Sequence, residues 1–333
     1  GIRFIPIKLI DVAGLVPGAH EGKGLGNQFL DDARQADMLI HVVDISGSTD
    51  LQGQHVNVGS HDPREDIKFV EEEFDYWFKQ ILEREWQKLT KEIEKKSTKL
   101  ADGITDRFSG LGVKVHEVHE ILQSLGLLTK KPTEWNDSDI TKFAQMLRKK
   151  IKPMLIAANK ADLCKDLKIA NEIHRTREIV NCSAETELLL KKAAKANLID
   201  YIPGNEKFVI NKNVDISPQQ KEALNLVENV LLKLNSTGIQ TALNSAVFRV
   251  LKLIVVFPVE DETKLSNKNG EVLPDAKLLS ENATAKNLAE TIHQDIAKGF
   301  LFAIDAKTKQ RIGADHQLKN GDVIKIVSSL SRG

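Results

Sequence analysis

Cysteine is nearly absent: Cys164 and Cys182 are the only two in 333 residues. So few exclude a disulfide framework and point to a reducing compartment. Both are expected to be small buried residues beside strands. Long apolar runs are also missing. None approaches the roughly 20 residues that a membrane-spanning helix needs, and residues 1–10 are too short and mixed for a signal peptide. The expected location is the cytoplasm, with no membrane partner. Neither sign of charge dominates, with 47 basic and 47 acidic residues. No global field therefore draws the chain onto nucleic acid, and DNA is not an expected partner. A closely spaced His/Cys set is lacking, which argues against a metal enzyme built on Asp11, His20 and Glu21. The chain also lacks a phosphate loop of the form GxxxxGK[ST]. The nearest stretch, Gly18 to Gly24, has three residues between Gly18 and Gly22, and Gly24 stands where a hydroxyl is required.

Two short motifs organise what is present. Asp11-Val12-Ala13-Gly14 follows the apolar run Phe4 to Ile10 and opens a glycine-rich loop. Asn159-Lys160-Ala161-Asp162 follows the run Met154 to Ala158. In open α/β sheets, ligands sit at the carboxyl ends of strands. A DxxG and an NKxD in this order, each at a strand end, are what a guanine-nucleotide site requires. The Asp11 carboxylate is expected to hold Mg²⁺ through water, and Gly14 lets its backbone N–H approach a γ-phosphate. Asp162 can accept from both N1–H and the N2 amine of guanine, a donor pair that adenine lacks. Asn159 can bridge its loop to neighbouring backbone, and the Lys160 stem can lie along the base. Ile179 to Ala184 reads as a further strand ending in a small-residue turn, where Ser183-Ala184 suits a backbone N–H aimed at the guanine O6.

The other elements follow from periodicity. Residues 3–10 and 38–45 read as strands, with Pro6 making the first an edge or irregular strand. Residues 27–37 read as a helix. From Asp62-Pro63 a helical pattern begins, with Ile67, Val70, Phe74, Trp77, Phe78, Ile81 and Leu82 on one face and no proline or glycine from Arg64 to Asp102. Helices over about 114–125 and 137–150 follow. A segment this long exceeds an ordinary α/β connection of about 2–6 residues. The expectation is an inserted helical domain over 61–150, shaped as an elongated, coiled-coil-like antiparallel hairpin. Residues 249–330 alternate strands with one helix over about 284–296, which suggests a β-grasp module. Its lysines and arginines mix with acids, as on a solvated surface.

The run DVAGLVPGAHEGKGLGNQFL resembles the switch region of Obg-related GTPases, and the segment order resembles the YchF branch. The resemblance implies an α/β G domain of the P-loop GTPase type over 1–60 and 151–248, interrupted by the helical insertion and followed by a TGS domain over 249–330. It implies GTP and GDP with Mg²⁺ as ligands, and a translation-associated switch with the ribosome or RNA as partner. Many members of the branch resemble ATP-binding proteins with a different base-reading motif; here Asn159, Lys160 and Asp162 are kept, which favours guanine. In the family the phosphate loop lies upstream of residue 1. The chain is accordingly expected to be a fragment or processed product, truncated within its G domain and inactive alone. The position after DxxG, glutamine in Ras-type enzymes, is Leu15. His20, His55 and His61 are then the candidates for holding the attacking water, since an ordinary imidazole titrates near pH 6.5. The rival expectation is a nucleotide-free adaptor that binds ribosome or RNA through the helical arm and the TGS domain.

Overall fold

The computed structural model describes residues 2–12, 32–84, 86–96, 99–212 and 214–330. They form two compact units, Leu9–Ala246 and Gly1–Lys8 with Val247–Gly333.

The larger unit is built on a parallel sheet. β1 (Leu39–Asp44) starts it, and the chain then leaves for five helices. Asp62 caps α1 (Pro63–Glu83) by accepting from the Arg64 N–H, and Pro63 takes the first turn, where no donor is needed. α2 (Trp86–Lys96), α3 (Leu100–Arg107) and α4 (Val115–Ser124) follow. α5 (Asp137–Ile151) opens with a capping box between Asn136 and Asp139 and closes on Arg148, Lys149 and Lys150, matching the helix dipole. β2 (Met154–Asn159), α6 (Lys168–His174), β3 (Ile179–Asn181) and α7 (Ala184–Lys195) return to the sheet. The sheet order is β1-β2-β3, and Leu39 to Asp44 lie opposite Met154 to Asn159. The runs are nearly all apolar because helices cover such a sheet. A small antiparallel pair, β4 (Ile199–Asp200) and β5 (Val209–Ile210), precedes α8 (Pro218–Leu234) and α9 (Ile239–Asn244).

The helical segment differs from the expected elongated hairpin. Its long helices α1 and α5 do pack together. However, α2, α3 and α4 close around the same core of Phe74, Phe78, Ile104, Phe108, Leu122 and Phe143. The Phe78 and Phe108 rings stack at 5.6 Å. Helix propensity through Arg64–Asp102 is overridden, and α1 ends at Arg84, where ψ is 115°. The aromatic stripe is too broad for one partner helix to cover, so folding back buries more of it. Gly103 permits that return, since a Cβ there would meet Leu89 Cδ1 at 2.6 Å. α1 also serves the sheet: Ile67 packs with Val43 and Ile156, whereas Phe74 belongs to the helical core.

Residues 3–10 form no strand, contrary to expectation, and Ile2, Phe4 and Leu9 are exposed. A strand exists only by pairing, and no described strand pairs with this stretch. Of the predicted helix over 27–37, residues 27–31 lie outside the described residues, and residues 32–35 are helical. Among the described residues no helix is long and apolar enough to cross a membrane.

The smaller unit contains β6 (Leu253–Pro258), β7 (Lys277–Ser280), α10 (Ala285–Ile292), α11 (Gln294–Lys298), β8 (Phe300–Asp305), β9 (Arg311–Ile312) and β10 (Asp322–Ser328). Its sheet order is β7-β6-β10-β8-β9, parallel only between β6 and β10. Leu288 of α10 packs into the cluster formed by Val256, Ala303 and Ile324. This is the β-grasp arrangement expected. The single predicted helix is split by His293, whose φ and ψ are −165° and 141°.

Candidate functional site

β1, β2 and β3 run the same way, so Asp44, Asn159 and Asn181 end them along one edge. Asp44 builds the first turn there. Its carboxylate accepts from the Ser46 backbone N–H at 3.0 Å, the Ser48 hydroxyl at 2.8 Å and the Thr49 hydroxyl at 2.7 Å. Lys160 Nζ donates to the same carboxylate at 2.7 Å, to Thr49 at 2.9 Å and to Ser48 at 3.2 Å. Burial acts to raise the Asp44 pKa, but the bonds from Lys160, Ser46, Thr49 and Ser48 together outweigh it and hold the group well below the usual carboxylate range.

The Asn159–Asp162 loop is tied to the next turn. Asn159 Oδ1 accepts from the Ala184 N–H at 3.0 Å, and the Ala161 N–H donates to the Cys182 carbonyl at 3.0 Å. Lys160 adopts a left-handed φ of 60°, unusual for a residue with a side chain. Ser183 is fully buried, caps α7 through Thr186, and donates its own N–H to the Thr237 carbonyl at 2.8 Å. Asp162 is partly exposed, and its carboxylate accepts no hydrogen bond from the described residues. The loop carbonyls are held instead: Lys233 Nζ donates to those of Ala161, Asp162 and Cys164.

The ladder to β2 uses the Leu39 and Ile45 N–H groups at 3.0 Å. By alternation, Ile40 and Val42 direct their backbone groups to the other edge, where no described strand pairs. A cleft of about 600 Å³ lies along that edge, lined by Asp11, Val12, His41, Asp66, Asn159 and Lys160 among others. His41 Nδ1 is buried without a partner among the described residues. Burial pushes its imidazole down to about 4 against the opposing pull of Glu71, so it is neutral at pH 7.

The predicted site residues therefore fall into groups. Asn159, Lys160, Asp162, Ser183 and Ala184 converge on one edge, and Asp11 joins Asn159 and Lys160 around the cleft. Gly14 and His20 lie outside the described residues. His55 is exposed and bridges to Thr49. His61 is engaged structurally, with Nε2 2.9 Å from Asp66 Oδ2 and its backbone N–H donating to Gly47. No group of three or more His, Cys, Asp or Glu among the described residues fits a metal ion by itself. A lone exposed carboxylate such as Asp11 fits Mg²⁺ only where phosphate oxygens and water complete its shell. Neither Asp44 nor Lys233 stands out in the sequence as a site residue. For Asp44 the signal was there, in the hydroxyls of Ser46, Ser48 and Thr49 after a buried strand; Lys233 carried none.

Three family profiles match the chain. Residues 2–77 match a 50S ribosome-binding GTPase, residues 157–261 an Obg-like GTPase YGR210-like, G4 motif-containing domain, and residues 270–328 a TGS domain. An uncharacterised GTP-binding protein of Methanocaldococcus jannaschii is 42% identical over 332 residues, which cover 99% of this chain and 82% of that protein. The chain belongs to the Obg-like, YchF-type GTPase family. Among solved structures of this kind, a GTP-binding protein from Pyrococcus horikoshii matches with a TM-score of 0.75 and 42% identity, over 90% of this chain and 81% of that one. The YchF GTPase of Schizosaccharomyces pombe matches with a TM-score of 0.51 at 17% identity, over 91% and 75%, a likeness of fold alone. Within the family's plan, the residues matched to the G4-motif profile include the Asn159–Asp162 loop, and the β-grasp unit holds the TGS match.

Proposed function

We propose that this protein is a guanine-selective, Mg²⁺-dependent GTPase switch acting in the cytoplasm on the ribosome or an RNA partner. The observation that carries the reading is Asp162. Its carboxylate is partly exposed and accepts no hydrogen bond from the described residues, while its loop is tied to Ala184 through Asn159, to Asp44 through Lys160 and to α8 through Lys233. In this reading the domains are 1–60 with 151–248 for the G domain, 61–150 for the helical insertion and 249–330 for TGS.

Asp162 accepts the N1–H and N2 amine of guanine, and adenine leaves it unpaired. The Lys160 stem lies against the base while its ammonium stays on Asp44. Ala184 meets the guanine O6 by sharing or exchanging the N–H now given to Asn159. Asp11 would hold Mg²⁺, whose charge would offset that of the phosphate oxygens. Gly14 supplies a backbone donor to the γ-phosphate. With Leu15 after DxxG, another group must hold the attacking water; His61 is committed to Asp66, which leaves His55 and His20. Turnover without a partner is expected to be slow, roughly 10⁻² s⁻¹ or below, as for unstimulated relatives of this reaction class.

The test is the turnover of full-length Asp162→Asn. An amide replaces one acceptor with a donor, which mismatches the guanine amine and matches the C2 carbonyl of xanthine. GTP turnover should fall at least tenfold at subsaturating substrate, and XTP should become the better substrate. ATP turnover equal to GTP turnover in the wild type would refute guanine selection. No turnover of either, with the ribosome still bound, would favour the adaptor reading.

A further inference from the structure

One short stretch, Lys233–Gly238, holds both loops that face the base. Lys233 stands in the last turn of α8, and all three of its acceptors are carbonyls of the Asp162 loop: Ala161 at 3.2 Å, Asp162 at 3.1 Å, and Cys164. An ammonium has three N–H donors, so this set uses its full capacity. Asn235 then takes a left-handed φ of 62° and turns the chain out of the helix. Thr237 accepts the Ser183 N–H at 2.8 Å, and its hydroxyl donates to the buried Glu187 carboxylate at 2.6 Å. Gly238, with φ +79°, lies so close to the end of β3, just before Ser183, that a Cβ there would sit 1.9 Å from the Asn181 carbonyl oxygen.

Thr237 and Gly238 are buried, and the Lys233 ammonium is given over to the three loop carbonyls. What they fix is the spacing of the Asp162 loop from the Ala184 turn, the two places where guanine's N1/N2 edge and its O6 would be met. We propose that Lys233–Gly238 is a positioning belt that sets guanine selectivity, with Lys233 as its principal residue. The inference deepens the proposed function and rests on it. The reason is geometric. Free carbonyls at Ala161, Asp162 and Cys164 would let the loop turn toward water, and a displacement of about 1 Å is enough to lose a paired hydrogen bond. The loss should appear first in discrimination at the N2 amine, because that contact depends wholly on where Asp162 stands.

The test compares GDP with IDP, which lacks the N2 amine, by equilibrium titration of the full-length protein in Mg²⁺. Wild type should prefer GDP, and Asp162→Ala should abolish the preference. Lys233→Met should reduce the GDP/IDP affinity ratio by about tenfold while IDP affinity changes much less. Lys233→Gln, which keeps an amide donor for the loop and guards against a folding defect in the methionine variant, should retain part of the ratio. Equal loss of GDP and IDP binding in either Lys233 variant, or no change, would overturn the belt while leaving the Asp162 result standing. A preference that survives Asp162→Ala would instead overturn the base-reading proposal, and the belt with it.

Discussion

Gly238→Ala should destabilise the larger unit by about 3 kcal/mol or more. Two costs add. A non-glycine residue at φ +79° is strained, and its Cβ would stand 1.9 Å from the Asn181 carbonyl oxygen and 2.8 Å from its carbon. Those are backbone atoms at the end of β3, so no side-chain rotation relieves the overlap. The Ser183–Thr237 bond must break or β3 must shift. Thermal unfolding followed by circular dichroism should show a fall of about 6–12 °C. Gly59→Ala is the control. Its φ is +83° with nothing within 4 Å, so it should cost only about 1 kcal/mol. Equal melting shifts for the two variants would mean that the close approach at Gly238 is not a feature of the folded protein.

Asp44→Asn should cost about 2–3 kcal/mol near neutral pH. The amide cannot serve Lys160, Ser48 and Thr49 as acceptor at once, and the ammonium is left beside a neutral group. The Asp44 side chain is 11% exposed and that of Lys160 32%, so partial hydration of the lysine keeps the cost at the lower end of buried pairs. The pH dependence follows from the depressed pKa. In the unfolded chain Asp44 titrates near 3.9, and in the fold it titrates lower. Its contribution is therefore complete above the unfolded value and is lost as pH falls toward and through the folded one. The stability gap between wild type and Asp44→Asn, measured by urea unfolding, should be constant above about pH 5 and should narrow below about pH 4. A gap that widens on acidification would contradict the assigned network.

The parts legible in the sequence share a physical cause. β1 and β2 are near-continuous apolar runs, and the Asn159–Asp162 motif is contiguous, so both can be recognised without knowing what lies beside them. The β-grasp unit was legible because its turns and alternations are local, as at Asn267–Gly270, where the Gly270 N–H donates to the Asn267 carbonyl. What was missed depends on partners distant in the chain. Residues 3–10 have the composition of a strand, yet pairing decides whether one forms. Asp44 gains its role from Lys160, and Lys233 from the carbonyls of Ala161, Asp162 and Cys164. The helical segment carries the right periodicity for long helices, but how its apolar stripe is covered depends on Phe108, Trp135 and Phe143. His61 looked free because Asp66, its partner, is also an ordinary first-turn acid of α1.

The central claim is that Asp162 selects guanine. The most direct measurement is displacement of fluorescent GDP from the full-length protein by unlabelled GTP and ATP at millimolar Mg²⁺, repeated with Asp162→Ala. GTP should displace it at concentrations at least 100-fold below those needed for ATP, and that margin should be lost in the variant. Displacement by GTP and ATP at similar concentrations, or a margin unchanged by Asp162→Ala, would contradict the claim.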